Sequence, residues 1–217
     1  MLTQMTAGAP GPSVGRWWNW LVRSRAWIGI LLLLPFGFAA VFSPPHSPEG
    51  SWGDIGLDIP GWLLFMVGAA LRWWATLYIG GRKSTSVITE GPYSICRNPL
   101  YLGTFLMLMG FSFYLESLTF AAGCVVAAVF YLSVTVSAEE TRLRQHFGQP
   151  FVDYCRTVPR FWPRFRLFRS TPEIVVSVRG LRSEAYRAAR WIWLPLLGEI
   201  VAQCRTEAWF PRWFHMP

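Results

Sequence analysis

Four long apolar stretches constrain the fold more than any other feature of this sequence. They cover residues 26–42, 60–79, 99–115 and 118–137, and polar or turn-forming residues separate them. Each is close to the roughly 17–25 residues with which an α-helix crosses the hydrocarbon core of a bilayer. Because helices of this length satisfy their own backbone hydrogen bonds within lipid, the sequence predicts an all-α fold, a polytopic membrane helical bundle.

The composition also supports a membrane location. Only 15% of the residues are charged and 53% are hydrophobic, whereas soluble domains carry about 25% charged residues. Several of the 13 tryptophans lie at the ends of apolar stretches, as expected of indoles at a lipid–water interface. We interpret the net charge of +8 as arginines beside anionic lipid. Membrane lipids are therefore predicted as partners, and nucleic acid is not.

Neither a metal site nor a disulfide framework is predicted. Cys96, Cys124, Cys155 and Cys204 form no C-x-x-C pair, and the three histidines are far apart in the sequence. Zinc sites and disulfide-rich domains are usually recognised by short, regular spacings of these residues.

The distribution of Lys and Arg predicts the orientation of the bundle. Segments 80–99 and 139–169 carry basic residues, whereas loop 43–59 and the turn at 116–117 contain none. Since basic loops tend to stay in the cytoplasm, we expect the N-terminus and both basic segments on the cytoplasmic side. Two polar segments on one face, each joined to rigid helices, can form one site.

Single residues predict details within the bundle. Pro60 is expected in the first turn of the second helix, where proline is tolerated. The short turn at 116–117 makes the third and fourth stretches an antiparallel hairpin. Arg72 lies near the end of the second stretch, and we expect its side chain to snorkel to the interface. The alternative is that Arg72 faces the bundle interior and contacts a polar ligand.

The chain divides into three parts. Residues 1–15, rich in Gly, Pro, Ser and Thr, are predicted to be disordered. Residues 16–165 are predicted to form the membrane domain, whose first stretch we interpret as a membrane helix rather than a signal peptide. Its fourth helix is expected to continue past Glu139 as a cytoplasmic helical extension. Residues 166–217 form a basic C-terminal extension.

This C-terminal extension leaves the number of spans open. Residues 170–190 are predicted to lie on the surface, and the apolar run 191–202 is short for a span and contains Pro195 and Glu199. We favour an interfacial helix for this run, with a re-entrant helix or a fifth span as alternatives. The bundle therefore has four to five transmembrane helices.

The first candidate site segment precedes and opens the third helix. Gly91 and the proline after it form a turn, Pro99 opens the helix, and Asn98 is placed as its N-cap. Arg97 therefore lies at a helix N-terminus, where the dipole favours an anion. Arg97 is either part of a carboxylate or phosphate cradle or a positive anchor beside the membrane.

The second candidate segment is the pair Glu139 and Glu140. Two acids at a membrane boundary are costly if they face lipid. Adjacent helical residues point about 100° apart, so one acid is expected to face the bundle while the other faces water or pairs with an arginine. The alternative for Glu140 is an i, i+4 ion pair with Arg144 that contributes about 0.3–0.5 kcal/mol.

Both segments belong to a set of short motifs. The set comprises Gly91-Pro92-Tyr93, Arg97-Asn98-Pro99-x-Tyr101-x-Gly103, Glu139-Glu140-x-x-Leu143, Phe147-Gly148, Tyr154 and Val158-Pro159-Arg160-Phe161-x-Pro163. Over residues 60–165 it resembles the isoprenylcysteine carboxyl methyltransferase and phospholipid methyltransferase group. Asn98 stands where many members have His, and Thr85 and Ser86 stand where another His is often found.

The resemblance implies S-adenosyl-L-methionine as the methyl donor, bound at the cytoplasmic ends of the last helices. Arg97 is expected to hold the donor carboxylate. Glu140 is expected to orient the donor's amino group or ribose, or to accept a proton from the acceptor. The residues implied to line the cofactor pocket are Gly91, Tyr93, Arg97, Asn98, Pro99, Tyr101, Gly103, Glu139 and Glu140.

The implied function is an integral-membrane methyltransferase that acts on a lipid-like or isoprenylcysteine-like acceptor at the cytoplasmic face. One alternative is a membrane reductase related to the steroid 5-alpha-reductases, which uses a nicotinamide cofactor. Another is a non-catalytic membrane subunit or a small transporter. Transport is disfavoured because the apolar stretches carry few charges that would mark a pathway.

Overall fold

The computed structural model describes residues 24–44, 51–79, 86–174 and 176–214. Within these ranges all regular structure is helical, which confirms the all-α prediction. The predicted disorder of residues 1–15 and the basic residues Arg82 and Lys83 lie outside the described residues.

Nine α-helices follow one another in the described residues, and a π-helical and a 3-10 segment accompany them. The α-helices are α1 (Arg25–Val41), α2 (Trp52–Ile79), α3 (Pro92–Ile95), α4 (Pro99–Tyr114), α5 (Leu118–Phe130), α6 (Ser137–Phe147), α7 (Gln149–Thr157), α8 (Val178–Trp191) and α9 (Trp193–Thr206). The π-helical segment Tyr131–Val136 joins α5 to α6, and the 3-10 segment is Phe165–Leu167.

Two helices are long and apolar enough to cross a membrane, Ile55–Ile79 with 25 residues and the continuous Leu118–Phe147 with 30 residues. The helices Trp27–Val41 and Pro99–Tyr114 are apolar but shorter. Large apolar side chains are exposed along the outward faces of α1, α2, α5 and α9, as expected of surfaces that face lipid. The predicted total of four to five spans stays a prediction.

The second apolar helix begins earlier than predicted. Pro60 lies inside α2 rather than in its first turn, and a bond from the Ile55 amide to the Ser51 carbonyl (3.1 Å) opens the helix. A proline within a helix removes the hydrogen bond to the carbonyl four residues before it, here that of Gly56, and crowds that carbonyl. The helix nevertheless continues through Pro60 to Ile79.

Paired glycines bring α2 and α4 together, and the two helices run antiparallel. A Cβ atom added at Gly103 would lie 2.6 Å from the Gly68 carbonyl oxygen, and one added at Gly110 would lie 2.6 Å from the Gly61 carbonyl oxygen. Small residues at such positions let helix backbones approach closely, as in membrane bundles. This contact is the most extensive between helices in the described part of the chain.

The helical hairpin predicted around residues 116–117 is confirmed. Glu116 has a positive φ of 45°, and the Ser117 side chain caps α5 by accepting a bond from the Phe120 amide (3.2 Å). The helix then continues past Glu139, as predicted, but passes through the π-helical segment Tyr131–Val136 first. Because a π turn holds more residues than an α turn, this segment shifts the face on which the following residues lie.

The expected position of Arg72 is wrong. Its side chain does not snorkel outward but faces the bundle, where Nη2 lies 2.6 Å from Oε1 of Glu184 on α8. Its Nη1 donates to the Thr104 hydroxyl on α4 (2.6 Å). Glu184 is only 2% exposed, so the segment predicted to lie on the surface has one buried face. A charge inside an apolar bundle is stabilised by a partner of opposite charge, and that partner lies 112 residues further along the chain.

Helix α9 runs along α4 toward the far end of the bundle, which is the end that holds the turn at 116–117. Gly198 lies against Phe111 and Tyr114 of α4. The buried Arg205 donates to the carbonyl oxygens of Ser43 (2.8 Å) and Leu115 (2.7 Å). The aromatic tail then reaches α1, since the Trp213 ring stacks on Phe42 at 4.5 Å. The C-terminal extension therefore contacts both ends of the bundle.

Candidate active site

A cavity of about 110 Å³ opens at the end of the bundle where α2 ends and α4 begins. We call this end of the bundle the site end. The lining side chains are Ile79, Ser86, Val87, Ile88, Tyr93, Arg97, Asn98, Pro99, Leu100, Tyr101, Glu139, Glu140, Leu143, Phe147, Phe151 and Tyr154. Apolar groups form most of the wall, and the charged and polar groups come mainly from the two segments singled out in the sequence.

Seven of the nine predicted cofactor residues line this cavity. They are Tyr93, Arg97, Asn98, Pro99, Tyr101, Glu139 and Glu140. The fold brings them together because α4 begins at the same end at which α6 emerges from the bundle. The antiparallel hairpin of α4 and α5 therefore places residues about forty positions apart in one site.

The two predicted glycines do not line the cavity. Gly91 has a φ of +57°, and a Cβ atom there would collide with the Tyr78 ring. Gly103 lies against Gly68 in the helix contact described above. Both glycines therefore shape the backbone that carries the site, Gly91 through a turn and Gly103 through close helix packing.

Glu140 lies at the centre of a charged cluster. Its Oε1 is 3.1 Å from Nη1 of Arg97 and 3.4 Å from Nε of Arg160. The side chains of Arg97 and Glu140 are only 14% and 12% exposed. The ion pair with Arg144 that the sequence permitted is replaced by these two partners, because the loop that carries Arg160 folds back onto α6.

Glu139 also faces the site. Its Oε2 accepts a hydrogen bond from the Tyr101 hydroxyl at 3.1 Å. The sequence led us to expect one acid in the bundle and the other toward water or an arginine, whereas both line the cavity. The shift in phase introduced by the π-helical segment before Ser137 was not visible in the sequence.

Two buried donors in the site have no hydrogen-bond partner among the described residues. They are the Tyr93 hydroxyl and Nε of Arg97. Burial raises the pKa of Tyr93, and the nearby Tyr154 and Glu139 raise it further, so the phenol stays protonated and able to donate. A buried polar group without a partner costs free energy, and a ligand with acceptor oxygens would remove that cost.

The loop after α7 closes the site along α3 and the start of α4. The Arg97 amide donates to the Pro159 carbonyl (3.0 Å), and the Arg164 amide donates to the Ile95 carbonyl (3.0 Å). The Asn98 side chain donates to the Arg160 carbonyl (3.1 Å). Asn98 thus occupies the N-cap position as predicted but makes no side-chain cap bond. Arg160 appeared in the sequence only as part of a motif, and its contact with Glu140 was missed.

Two cysteines near the site are expected to differ in reactivity. Burial raises the pKa of the Cys96 thiol to about 11. The half-buried Cys155 accepts a bond from Nη1 of Arg97 at 2.9 Å. Because the thiolate is the nucleophile and burial also limits access to the sulfur, we expect iodoacetamide at pH 8 to alkylate the half-buried Cys155 at least about tenfold faster than the buried Cys96. Peptide mapping by mass spectrometry measures both rates, and equal rates would contradict the described burial of Cys96.

Comparison with known proteins identifies the family. A sequence model described as phospholipid methyltransferase matches residues 58–150. The nickel-cobalt-cadmium resistance protein NccN of Alcaligenes xylosoxydans xylosoxydans is 32% identical over 173 residues, which cover 79% of this chain and 81% of that protein. The chain belongs to the phospholipid methyltransferase family.

Two further relatives extend the comparison. The cobalt-zinc-cadmium resistance protein CzcN of Cupriavidus metallidurans is 32% identical over 76% of this chain and 75% of its own length. The protein-S-isoprenylcysteine O-methyltransferase of Xenopus laevis is 26% identical over 59% of this chain and 46% of its own length. No solved structure matches the chain.

In this member of the phospholipid methyltransferase family, the matched region contains most of the site. All nine predicted cofactor residues lie within residues 58–150, together with most of α2 and all of α4 and α6. Tyr154, Arg160 and the C-terminal extension lie beyond the matched region, although Tyr154 lines the cavity and Arg160 contacts Glu140.

Proposed function

We propose that this protein is an integral-membrane methyltransferase that uses S-adenosyl-L-methionine to methylate a lipid-like or isoprenylcysteine-like acceptor at the cytoplasmic face. One observation carries the proposal. A largely apolar cavity at the end of an apolar bundle holds two carboxylates and two buried donors that have no partner in the described part of the chain. A reaction between a polar methyl donor and an apolar acceptor needs polar and apolar surfaces in the same cavity.

The residues of the cavity fit the donor. Its carboxylate suits the Tyr93 hydroxyl and Nε of Arg97, which have no partner among the described residues. Its amino group and ribose hydroxyls suit Glu139 and Glu140, since carboxylates accept hydrogen bonds from both. When bound, the donor supplies a methyl group on a sulfonium whose leaving group is a neutral thioether. The chain's own residues then bind, orient and shield the reactants.

The apolar part of the wall suits the acceptor. It consists of Ile79, Val87, Ile88, Leu143, Phe147 and Phe151. These side chains exclude water and hold an apolar group beside the charged cluster, which favours alignment of nucleophile and methyl group. The roles of Glu140 and Arg97 in this proposal are to bind and orient the donor, with proton acceptance by Glu140 as a second role for an acceptor that carries a proton.

The orientation in the membrane is part of the same proposal. We place the site end of the bundle in the cytoplasm, where a polar donor is dissolved, while the acceptor enters from the bilayer. Helices α1, α2, α4 and α5 would then be spans. Helix α9, which runs beside α4 to Arg205 at the far end, would complete a fifth span with the end of α8.

The names of two relatives suggest a physiological setting. Both are resistance proteins for cobalt and cadmium, with nickel or zinc as a third metal. We propose that this chain serves metal tolerance through methyl transfer at the described site. A strain that carries Glu140→Gln should then grow like a deletion strain in cadmium or cobalt. Growth of that variant at the wild-type rate would show that metal tolerance does not depend on the described site.

Binding of the donor to detergent-purified protein tests the proposed function. We expect calorimetry to show binding by the wild type and an affinity about tenfold lower for Tyr93→Phe, because one hydrogen bond to a charged group is worth about 1.5 kcal/mol. Tyr186→Phe is the matched control, since Tyr186 on α8 is 61% exposed. NADPH serves as the comparison ligand.

Each outcome has a definite meaning. Binding of the donor that Tyr93→Phe weakens and Tyr186→Phe does not supports a methyl-donor site at the cavity. Binding of NADPH without binding of the donor would favour the reductase alternative and overturn the proposed function. A folded wild type that binds neither ligand would favour a non-catalytic membrane protein.

A further inference from the structure

The C-terminal extension contacts the turn that carries Tyr93. The Gly91 amide donates to the Arg169 carbonyl (2.7 Å), and the Arg169 amide donates to the Ser94 hydroxyl (3.0 Å). The Thr171 hydroxyl donates to Glu90 (3.2 Å). These bonds fix the backbone on both sides of Tyr93, whose hydroxyl lies in the cavity and has no partner within the ranges that the structure describes.

Apolar packing reinforces this contact. Ile174 of the extension packs against a buried cluster formed by Ala75, Tyr78 and Tyr93. The Tyr78 hydroxyl is also within 3.2 Å of the Ser170 hydroxyl. The extension therefore packs against the buried cluster that contains Tyr93.

The extension holds the start of α4 through the buried ion pair of Arg72 and Glu184. Both Nε and Nη2 of Arg72 reach the same carboxylate oxygen of Glu184, at 2.8 and 2.6 Å. Nη1 of Arg72 donates to the Leu100 carbonyl (3.3 Å) and to the Thr104 hydroxyl. Leu100 lines the cavity between Pro99 and Tyr101, so this network ends in the first turn of α4.

We propose that the C-terminal extension forms the outer support of the donor pocket and that Arg72 and Glu184 are positioning residues for methyl transfer. Neither side chain lines the cavity. Glu184 orients Arg72, and Arg72 fixes the turn that carries Leu100 and Tyr101. The extension lies outside the part of the chain that the family model matches.

Replacing one or both members of the Arg72–Glu184 ion pair should have different effects. Loss of one member leaves an uncompensated charge in an apolar bundle, whereas replacement of both by apolar residues of similar volume is often tolerated. The double variant Arg72→Met with Glu184→Met should therefore fold with the extension docked less specifically. Because this variant should still fold, any effect on the site can be attributed to the lost positioning of α4 and not to unfolding.

Hydrogen exchange and donor kinetics test the proposal, which rests on the proposed function for its kinetic part only. In the double variant and in Glu184→Gln, we expect faster amide exchange across residues 90–104. With S-farnesylcysteine as the acceptor, we also expect kcat/KM for the donor to fall about 100-fold, because small misplacements far from the chemistry have effects of that size. Glu184→Asp should recover part of the loss. Glu173→Gln, which removes an exposed acid from the same extension, is the matched control.

The outcomes distinguish the two proposals. A folded double variant with wild-type exchange at residues 90–104 and wild-type donor kinetics would overturn the positioning role. A wild type that binds no donor, combined with faster exchange in the variants, would overturn the proposed function while the extension still proved to support the cavity. Faster exchange with unchanged kinetics would show a structural contact alone and would also overturn the positioning role.

Discussion

Replacing Gly103 by alanine should destabilise the protein by overpacking the contact between α2 and α4. The new Cβ atom would lie 2.6 Å from the Gly68 carbonyl oxygen and 2.7 Å from Cγ of Arg72. The first of these neighbours is backbone and cannot move without displacing a helix. Overpacking of this kind costs about 1–3 kcal/mol, which corresponds to a fall in Tm of roughly 3–10 °C for a chain of this size.

The effect should also reach the cavity. Helix α4 carries Gly103 and, one turn earlier, the lining residues Pro99, Leu100 and Tyr101. If α2 and α4 separate, Arg72 loses its position beside Thr104, and the first turn of α4 moves with it. We therefore expect weaker donor binding together with the lower Tm, measured by calorimetry and thermal unfolding in detergent.

Gly56→Ala is the matched control. Gly56 lies in α2, and a Cβ atom there would meet nothing within 4 Å. Alanine is favoured over glycine within a helix by about 0.5–1 kcal/mol, so the control should be as stable as the wild type or slightly more stable. A Gly103→Ala variant with normal stability and lost donor binding would favour the direct cofactor role that the family resemblance implied.

Replacing Glu140 by glutamine should disrupt the site more than any other single side-chain change. Glutamine keeps the shape of the side chain but removes the charge that Arg97 and Arg160 share. Breaking a buried ion pair costs about 3–5 kcal/mol, and the 36% exposure of Arg160 places its share of the loss at the lower end. We expect a lower Tm and donor affinity reduced at least about 100-fold, which is about 2.7 kcal/mol.

Asp153→Asn provides the comparison for an exposed ion pair. Asp153 and Arg156 are 57% and 72% exposed, with 3.4 Å between their charged atoms. Surface pairs of this kind contribute about 0–1 kcal/mol, so this variant should keep the stability and donor affinity of the wild type. If Glu140→Gln behaved in the same way, the charged cluster would be a surface feature and not part of the site.

The start of α4 and the turn before α5 were predictable from local sequence. Proline suits the first turn of a helix, and Pro99 opens α4. Ser117 suits an N-cap, and it caps α5. The segments around Arg97 and Glu140 could be expected to share one site, since they lie at the same end of an antiparallel hairpin, and the family resemblance implied which residues line it. In the two helix starts, a preference that acts within a few residues decides the structure.

Other features could not be predicted from the local sequence. Pro60 lies inside a helix that it was expected to begin, because the helix starts eight residues earlier, at Trp52. The π-helical segment before Ser137 follows from packing, since its residues carry no sequence signal for an extra residue per turn. Gly103 was interpreted as a cofactor residue, whereas its neighbour Gly68 on another helix explains why it has no side chain.

The sequence by itself determined that the chain forms apolar helices with a polar site at one end, because hydrophobic length, turn chemistry and the spacing of motifs act locally. Only the tertiary structure decided which charges meet. Glu140 pairs with Arg97 and Arg160, and Arg72 pairs with Glu184. A buried charge requires a partner of opposite sign, and the chain carries 20 basic and 12 acidic residues. The packing of distant helices therefore selects each pair.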